Sequence, residues 1–370
     1  MNQPTLTSDA PQPSGPPGQL DMSALMSFMQ RFVADVSAAG TVVMCAIGSR
    51  LGLFAELVRS GPATAAELAD RTGTRERYVR EWALALATAG YLTRDGDGRY
   101  ALPPGPAAAL GDADGPFYMG DMARLMPALS AVSDRVIDGF RTGAGLHPEE
   151  YPAELFETVW HKDANRLGKV LVRQWVMAVD GLTEQLRVGG RVAQVHCGDG
   201  RALILLAQAF PRLELVGYDP VEINIRRARA EAAAAGVADR IRFSTADPAE
   251  DLGDGFALVL AIDVLHEAPD PAALLRRIHD ALQSHGVFLL LATNGEDVPP
   301  AGPNPVSSML YAISTLQHVP QGLAAGVADP AGLMGLPPAL LDRLCTEAGF
   351  TTVERLMEPS PFNTLYELRA

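Results

Sequence analysis

The chain is short of cysteine and of positive charge, and each shortage removes a class of protein. Only three cysteines, Cys45, Cys197 and Cys345, occur in 370 residues. They lie far apart, so they form neither a disulfide framework nor a zinc-binding cysteine pattern, and they point to a reducing compartment, the cytoplasm. Basic side chains number 30 against 44 acidic ones, a formal net charge of −14. A chain this acidic repels phosphate backbones, which argues against nucleic acid as a partner. No unbroken run of about 18 apolar residues is present, so no membrane span is expected. The basic start and apolar core of a signal peptide are missing as well. What is left is an ordinary globular balance, 48 % hydrophobic and 20 % charged, and a length that predicts two domains.

Residues 1–20 are rich in Pro, Gly, Ser and Gln and read as a disordered tail. Helical spacing follows, with Phe28, Phe32, Val36 and Ala39 on one stretch and Val43, Ile47 and Leu51 on the next. The scarcity of charge predicts that these helices are buried, in the core or in a dimer interface. Thr64 and Glu67 make a capping box, Gly73 ends that helix, and Thr74 is placed to cap the next. Two short strands around Asp95-Gly-Asp-Gly98 read as a hairpin. Helix, turn, helix, hairpin is the winged-helix order, and residues 21–110 are assigned to it. Arg75, Arg77 and Arg80 would serve DNA binding. Glu76 and Glu81 on the same helix weigh toward a structural, dimerising module.

Residues 111–187 read as a helical linker and lid. Trp160, His161, Lys162, Arg166, Arg173 and Trp175 fall within its segment 156–175. Such a connection closes over a cleft, or it is a solvated helix with two core tryptophans. Residues 188–370 alternate strands and helices, the rhythm of a parallel sheet wrapped by helices. The expected strands are 191–196, 213–218, 241–245, 256–263 and 287–292. Two closely spaced strands at 351–358 and 363–368 should pair antiparallel at the sheet edge.

In an open parallel sheet, ligands bind beyond the carboxyl ends of the strands near the switch point. The first such loop runs Gln194-Val-His196-Cys-Gly198-Asp-Gly200. Its glycines let backbone approach a ligand and let the next helix pack on the strand. Asp219 ends the second strand about twenty residues on, the spacing at which an acid takes ribose hydroxyls. Asp247 follows the third strand and is placed to accept from an adenine amino group. After the fourth comes Asp263-Val-Leu265-His266-Glu267. An imidazole there, with an ordinary pKa of about 6.5, suits a general base, and Glu267 would tune it or bind substrate. His196, His266 and Glu267 could converge, but no run has metal-ligand spacing, and no metal is assigned.

These residues resemble class I S-adenosylmethionine (SAM) dependent methyltransferases with an N-terminal winged-helix dimerisation domain, of the bacterial O-methyltransferase kind. The likeness includes the helices 28–57, the segment Asn304-Pro-Val-Ser-Ser-Met309-Leu-Tyr311 and the ending Pro361-Phe362-Asn363. It implies an α/β fold: a Rossmann-like seven-stranded methyltransferase domain preceded by a mostly helical winged-helix domain. It further implies a homodimer joined through the N-terminal helices and a small-molecule substrate. The cofactor set would be Gln194, His196, Gly198, Gly200, Asp219, Pro220, Asp247 and Asp263. His266 corresponds to the residue that deprotonates the acceptor in plant-type relatives, with Glu267 and His196 beside it. Trp160, His161, Trp175, Met309 and Tyr311 would line the acceptor pocket.

The chain departs from the family's acid-x-Gly-x-Gly-x-Gly loop at two places. Gln194 stands where an acid holds the methionine ammonium, and His196 stands at the first Gly. Ala292-Thr293 also replaces an acid and a Pro. The adenosine half of the site keeps the pattern and the methionine half is rebuilt. Methylation of a hydroxyl or amine on a natural-product-like molecule leads. Two alternatives stay open: a methyltransferase-fold enzyme that now cyclises, rearranges or eliminates, and a ligand-responsive winged-helix regulator.

Overall fold

The computed structural model describes residues 20–113, 115, 117–295, 302–360 and 362–370. The expected disordered tail lies almost wholly outside them, as does Pro361. The chain divides into two compact units, one running to Ala128 and the other from Leu129 onward, with residues 300–304 grouped with the first.

The first unit opens with helix α1 (Met22–Arg50), capped by Asp21, whose side chain accepts from the backbone N–H of Ser23 and Ala24. Then come α2 (Leu53–Ser60), α3 (Ala65–Thr72) and α4 (Glu76–Thr88). Strands β1 (Thr93–Arg94) and β2 (Tyr100–Ala101) form the antiparallel wing. The capping box at Thr64 is present in both directions, and Gly73 ends α3 at φ 67°. Thr74 does not cap α4. Its hydroxyl bonds that of Thr72 at 2.9 Å, and Arg75 takes the cap position without a side-chain bond. Phe54, Leu57, Leu68, Val79, Trp82 and Leu86 are the core of this unit. On α4, Arg80 makes two hydrogen bonds to Glu76, at 2.8 and 2.7 Å, and Arg77 pairs with Glu81. Two of the three arginines expected to serve DNA binding, Arg77 and Arg80, are thus paired on their own helix.

The expected burial of α1 is not met within one chain. Phe28, Phe32 and Val36 are more than half exposed, at 52, 58 and 58 %, and the two phenylalanine rings stack on each other. Among the described residues α1 is the one helix with the length and apolarity to cross a membrane. Gln30, Arg31 and Asp35 interrupt it, so a search for an unbroken apolar run does not select it.

The second unit is built on seven strands in the order β5-β4-β3-β6-β7-β9-β8. These are β3 (Gly190–Val195), β4 (Leu213–Tyr218), β5 (Ile241–Ser244), β6 (Phe256–Ile262), β7 (Leu282–Thr293), β8 (Thr352–Ser360) and β9 (Asn363–Arg369). The first five are parallel, β9 joins β7 antiparallel, and β8 forms the edge. The last two strands pair antiparallel at the sheet edge, as expected, with β9 lying between β7 and the outermost β8. Successive strand residues point to opposite faces, so Val192, Leu215, Leu258 and Leu289 pack with one core while Ala193, Val216, Val259 and Phe288 pack with the other. Residues 129–187 are not a separate linker. Leu167, Leu171, Trp175, Val176, Leu182 and Leu186 fill the first of these cores. Trp175, expected in the acceptor pocket, is 1 % exposed within it.

Chain order reverses at β3, so the loop after β3 lies at the switch point. Gly217 in β4 lets that loop come close: a Cβ there would meet Cys197 Sγ at 2.8 Å and Leu203 Cδ1 at 2.9 Å. Gly217→Ala should therefore lower stability by about 1–3 kcal/mol through overpacking. Urea unfolding checks this, and an unchanged midpoint would mean the contact is soft.

Candidate functional site

The loop after β3 turns on left-handed backbone at three residues. Gly198 and Gly200 have φ 57° and 73°, and His196, a non-glycine, has φ 50°. The two glycines differ in purpose. A Cβ at Gly200 would strike the Phe243 ring at 2.8 Å, whereas at Gly198 nothing lies within 4 Å. Gly200 is needed for packing, and Gly198 leaves open space beside half-buried backbone. His196 occupies a conformation that costs a non-glycine residue roughly 1–2 kcal/mol, the reason glycine suits the position.

Asp219 follows β4 and is 3 % exposed. Its Oδ2 accepts from Gly198 N at 2.8 Å, and its Oδ1 accepts from Val221 N and Asn224 Nδ2, both at 3.0 Å. Three of the roughly four acceptor positions of the carboxylate are thus filled by the protein. Burial pushes its pKa up, and His196 opposes that shift. Asn224 also accepts from Trp160 Nε1 at 3.1 Å, so Trp160 stands on the Asp219 side of the site. Pro220 is exposed next to it. Asp247 is exposed and caps a short helix by accepting from Ala249 N at 2.8 Å.

Asp263, expected among the cofactor residues, is committed to the protein. Its Oδ2 accepts from Arg166 Nη1 at 3.0 Å, and its Oδ1 accepts from Asn363 Nδ2 and faces Thr293 Oγ1 at 3.5 Å. Burial raises its carboxyl pKa against the pull of Arg166. Gln194, on β3, is 4 % exposed, and its Oε1 has no hydrogen-bond partner.

The catalytic candidates do come together. His196 Nδ1 lies 3.9 Å from Glu267 Oε2, and His266 Nε2 lies 4.0 Å from Glu267 Oε1. A fourth residue joins them: His318 Nδ1 is 3.1 Å from Glu267 Oε1, and its ring meets that of His266 edge-on at 5.0 Å. Burial pushes His266 down to about 3, and His318 and His196 act in the same direction. The imidazole is therefore neutral, and its Nε2 has no hydrogen-bond partner. Burial opposes ionisation of Glu267, but the adjacent His318, with His266 and His196, holds its carboxyl at about 2.

Sequence reasoning missed His318. It ends a π-helical turn, Ser314–His318, between helices Pro305–Ile313 and Val319–Ala324. Tyr151 fixes that turn by donating to Leu316 O at 2.9 Å, and Ser314 Oγ fixes it by accepting from Leu333 N at 3.0 Å. Nothing local in the sequence marks it except the likeness of the segment beginning at Asn304. Met309, half-buried, and Tyr311, exposed, lie on the helix before it, while His161 is exposed. A cleft of about 570 Å³ lined by Arg191, Arg212, Arg240 and Arg242 opens at the amino ends of the strands, the opposite end of the sheet from this cluster.

Residues 194–288 match the family described as a methyltransferase domain, and residues 39–111 match the Rv2258c-like winged HTH domain. The chain is 31 % identical over 175 residues to a ubiquinone biosynthesis O-methyltransferase of Ruegeria pomeroyi, covering 47 % of this chain and 64 % of that one. The chain thus spans under two-thirds of that relative. It is 27 % identical over 259 residues to the mitomycin biosynthesis 6-O-methyltransferase of Streptomyces lavendulae, covering 66 % and 72 %. Among solved structures, an O-methyltransferase from neocarzinostatin biosynthesis matches with a TM-score of 0.60 at 19 % identity, over 95 % of this chain and 99 % of that one. That structure holds SAM and 2-hydroxy-5-methyl naphthoic acid. The fold is that of a class I methyltransferase domain preceded by a winged-helix domain, as the sequence implied.

His196→Gly should raise the stability of the ligand-free protein by up to about 1 kcal/mol by relieving the left-handed strain. Thermal unfolding tests this, and a lowered midpoint would show that the imidazole's contacts outweigh the backbone cost.

Proposed function

We propose that this protein is a SAM-dependent methyltransferase acting on a hydroxyl or amine of a small, fairly apolar molecule. The observation that carries the reading is a pair of buried polar atoms without protein partners, Gln194 Oε1 and His266 Nε2, one on the central strand and one beyond its neighbour. A buried acceptor left unpaired costs about 1–3 kcal/mol, so such atoms are retained where a ligand satisfies them. Gln194 Oε1 suits the ammonium of a methionine moiety, the open side of Gly198 suits close approach of a nucleoside, and Asp219 keeps one acceptor position for a ribose hydroxyl. Asp247 is the candidate for the adenine amino group, through the oxygen its cap leaves unused.

SAM, when bound, supplies an electrophilic methyl group. The protein's own residues do the rest. His266 takes the acceptor's proton at Nε2, and the ionised Glu267 beside it stabilises the imidazolium that forms. Met309 and Tyr311, on the helix leading to His318, and the exposed His161 are the candidates to hold the acceptor, so that catalysis rests on alignment. The three buried, unpaired thiols suit a reducing compartment such as the cytoplasm.

Calorimetry with SAM and with S-adenosylhomocysteine tests the cofactor. Both should bind, and Gln194→Glu with His196→Gly should tighten SAM by about tenfold, because a charge-assisted hydrogen bond replaces a neutral one. No heat from either ligand at millimolar concentration would sink the reading.

We also propose a homodimer through α1. An exposed apolar face of this size marks an interaction surface, and Phe28, Phe32 and Val36 lie along it. Light scattering should give a dimer for the full chain and a monomer for Phe32→Asp. A monomeric parent chain would refute it.

A further inference from the structure

We propose that His266, Glu267 and His318, with His196 at their edge, form a binding site for a divalent transition-metal cation of the zinc class. One ligand atom from each of the first three lies within 4.8 Å of the other two. In a tetrahedral zinc site with bonds of about 2.0–2.1 Å, neighbouring ligand atoms stand about 3.4 Å apart. The separations of 3.1 Å from Glu267 Oε1 to His318 Nδ1 and 4.0 Å to His266 Nε2 bracket that value. The third edge, between the two imidazoles, is within 4.8 Å, so side-chain shifts of about an ångström would close the set.

Orientation gives a second, independent reason. His266 Nε2 and His318 Nδ1 are both buried without a hydrogen-bond partner. The second is close to the carboxylate yet misaligned for an N–H···O bond. The His266 side chain is only 4 % exposed. Two imidazole nitrogens facing one carboxylate, neither bonded to it, are the arrangement a cation between them would satisfy. Protein neighbours position both rings: His318 sits on the turn held by Tyr151 and Ser314, and His266 lies in the turn Leu265–Glu267 directly after β6.

Donor chemistry selects the metal. Imidazoles with a single carboxylate suit zinc, cobalt, nickel or iron(II), whereas magnesium and calcium prefer all-oxygen shells. Three protein ligands leave a coordination position open, the pattern of reactive rather than structural sites. Glu267 and His196, with side chains 32 % and 14 % exposed, form its accessible side. Nε2 of His266 has one lone pair, so that atom either binds the metal or takes the proton, and the base role of His266 given above applies to the metal-free protein. With the cation in place, a hydroxyl entering the open position would be acidified by coordination and release its proton to solvent. That role rests on the methyl-transfer reading, but the site itself does not.

The test uses the full chain, stripped with chelator and titrated with Zn²⁺ alone against a chromophoric chelator, without SAM. The proposal expects one equivalent bound at low micromolar affinity or tighter, and visible cobalt(II) bands of a four-coordinate nitrogen–oxygen site. His266→Ala and His318→Ala should each weaken binding by at least about tenfold, and His285→Ala, an exposed histidine elsewhere, should not. If His318→Ala unfolds, His318→Gln, which keeps bulk and polarity, replaces it. Absence of stoichiometric binding by the folded parent chain, or equal affinity in parent and His318 variants, overturns the proposal. Zinc binding without SAM binding would leave the metal site standing and remove the methyltransferase reading, and the reverse result would do the opposite.

Discussion

The carboxylate of Asp219 ties together the loops on which the site depends. It is buried after β4, yet it receives the backbone N–H of Gly198 from the loop after β3 and that of Val221 from its own loop. Asn224 adds a third bond and holds Trp160 in turn. An acid removed from water is costly unless its oxygens are met by donors, so the two loops are held in one arrangement. That arrangement sets the backbone around Gly198, and with it the left-handed turn that carries His196. Gly217 and Gly200 permit it sterically, the first by admitting Cys197 and Leu203, the second by admitting the ring of Phe243.

On the other side of β3, a second, half-buried acid does comparable work. Asp263 is engaged by Arg166, Asn363 and Thr293, from a helix, from the inserted strand β9 and from β7. Thr293 stands where the family carries a Pro, and the hydroxyl gives Asp263 a polar neighbour in its place. The turn that bears His266 and Glu267 begins directly after this anchor. Around the rebuilt half of the pocket, Gln194 Oε1, His266 Nε2 and His318 Nδ1 are buried without a hydrogen-bond partner, as is Arg166 Nε beside Asp263.

The four-residue cluster couples its members electrostatically. Glu267 stays ionised against its burial chiefly because His318 lies beside it, and His266 stays neutral chiefly because it is buried. A neutral imidazole with a free lone pair beside an ionised carboxylate accepts either a proton or a cation. The same geometry therefore underlies both the acceptor chemistry and the metal site.

The sequence by itself determined the winged-helix order, the alternation of strand and helix, the glycine loop and the residues following each strand. These are local matters: side-chain periodicity, caps and turn residues act over a few positions. Gln194, His196, His266 and Glu267 could be singled out because they sit at the ends of recognisable strands. Tertiary structure alone decided the rest. It placed Trp175 in the core and Asp263 in a protein-held network, left the apolar face of α1 uncovered, and inserted β9 between β7 and β8. It also carried His318, fifty-one positions beyond Glu267, to the same carboxylate. No spacing rule reaches that far, because the meeting depends on how a turn clamped by Tyr151 and Ser314 packs over the carboxyl end of the sheet.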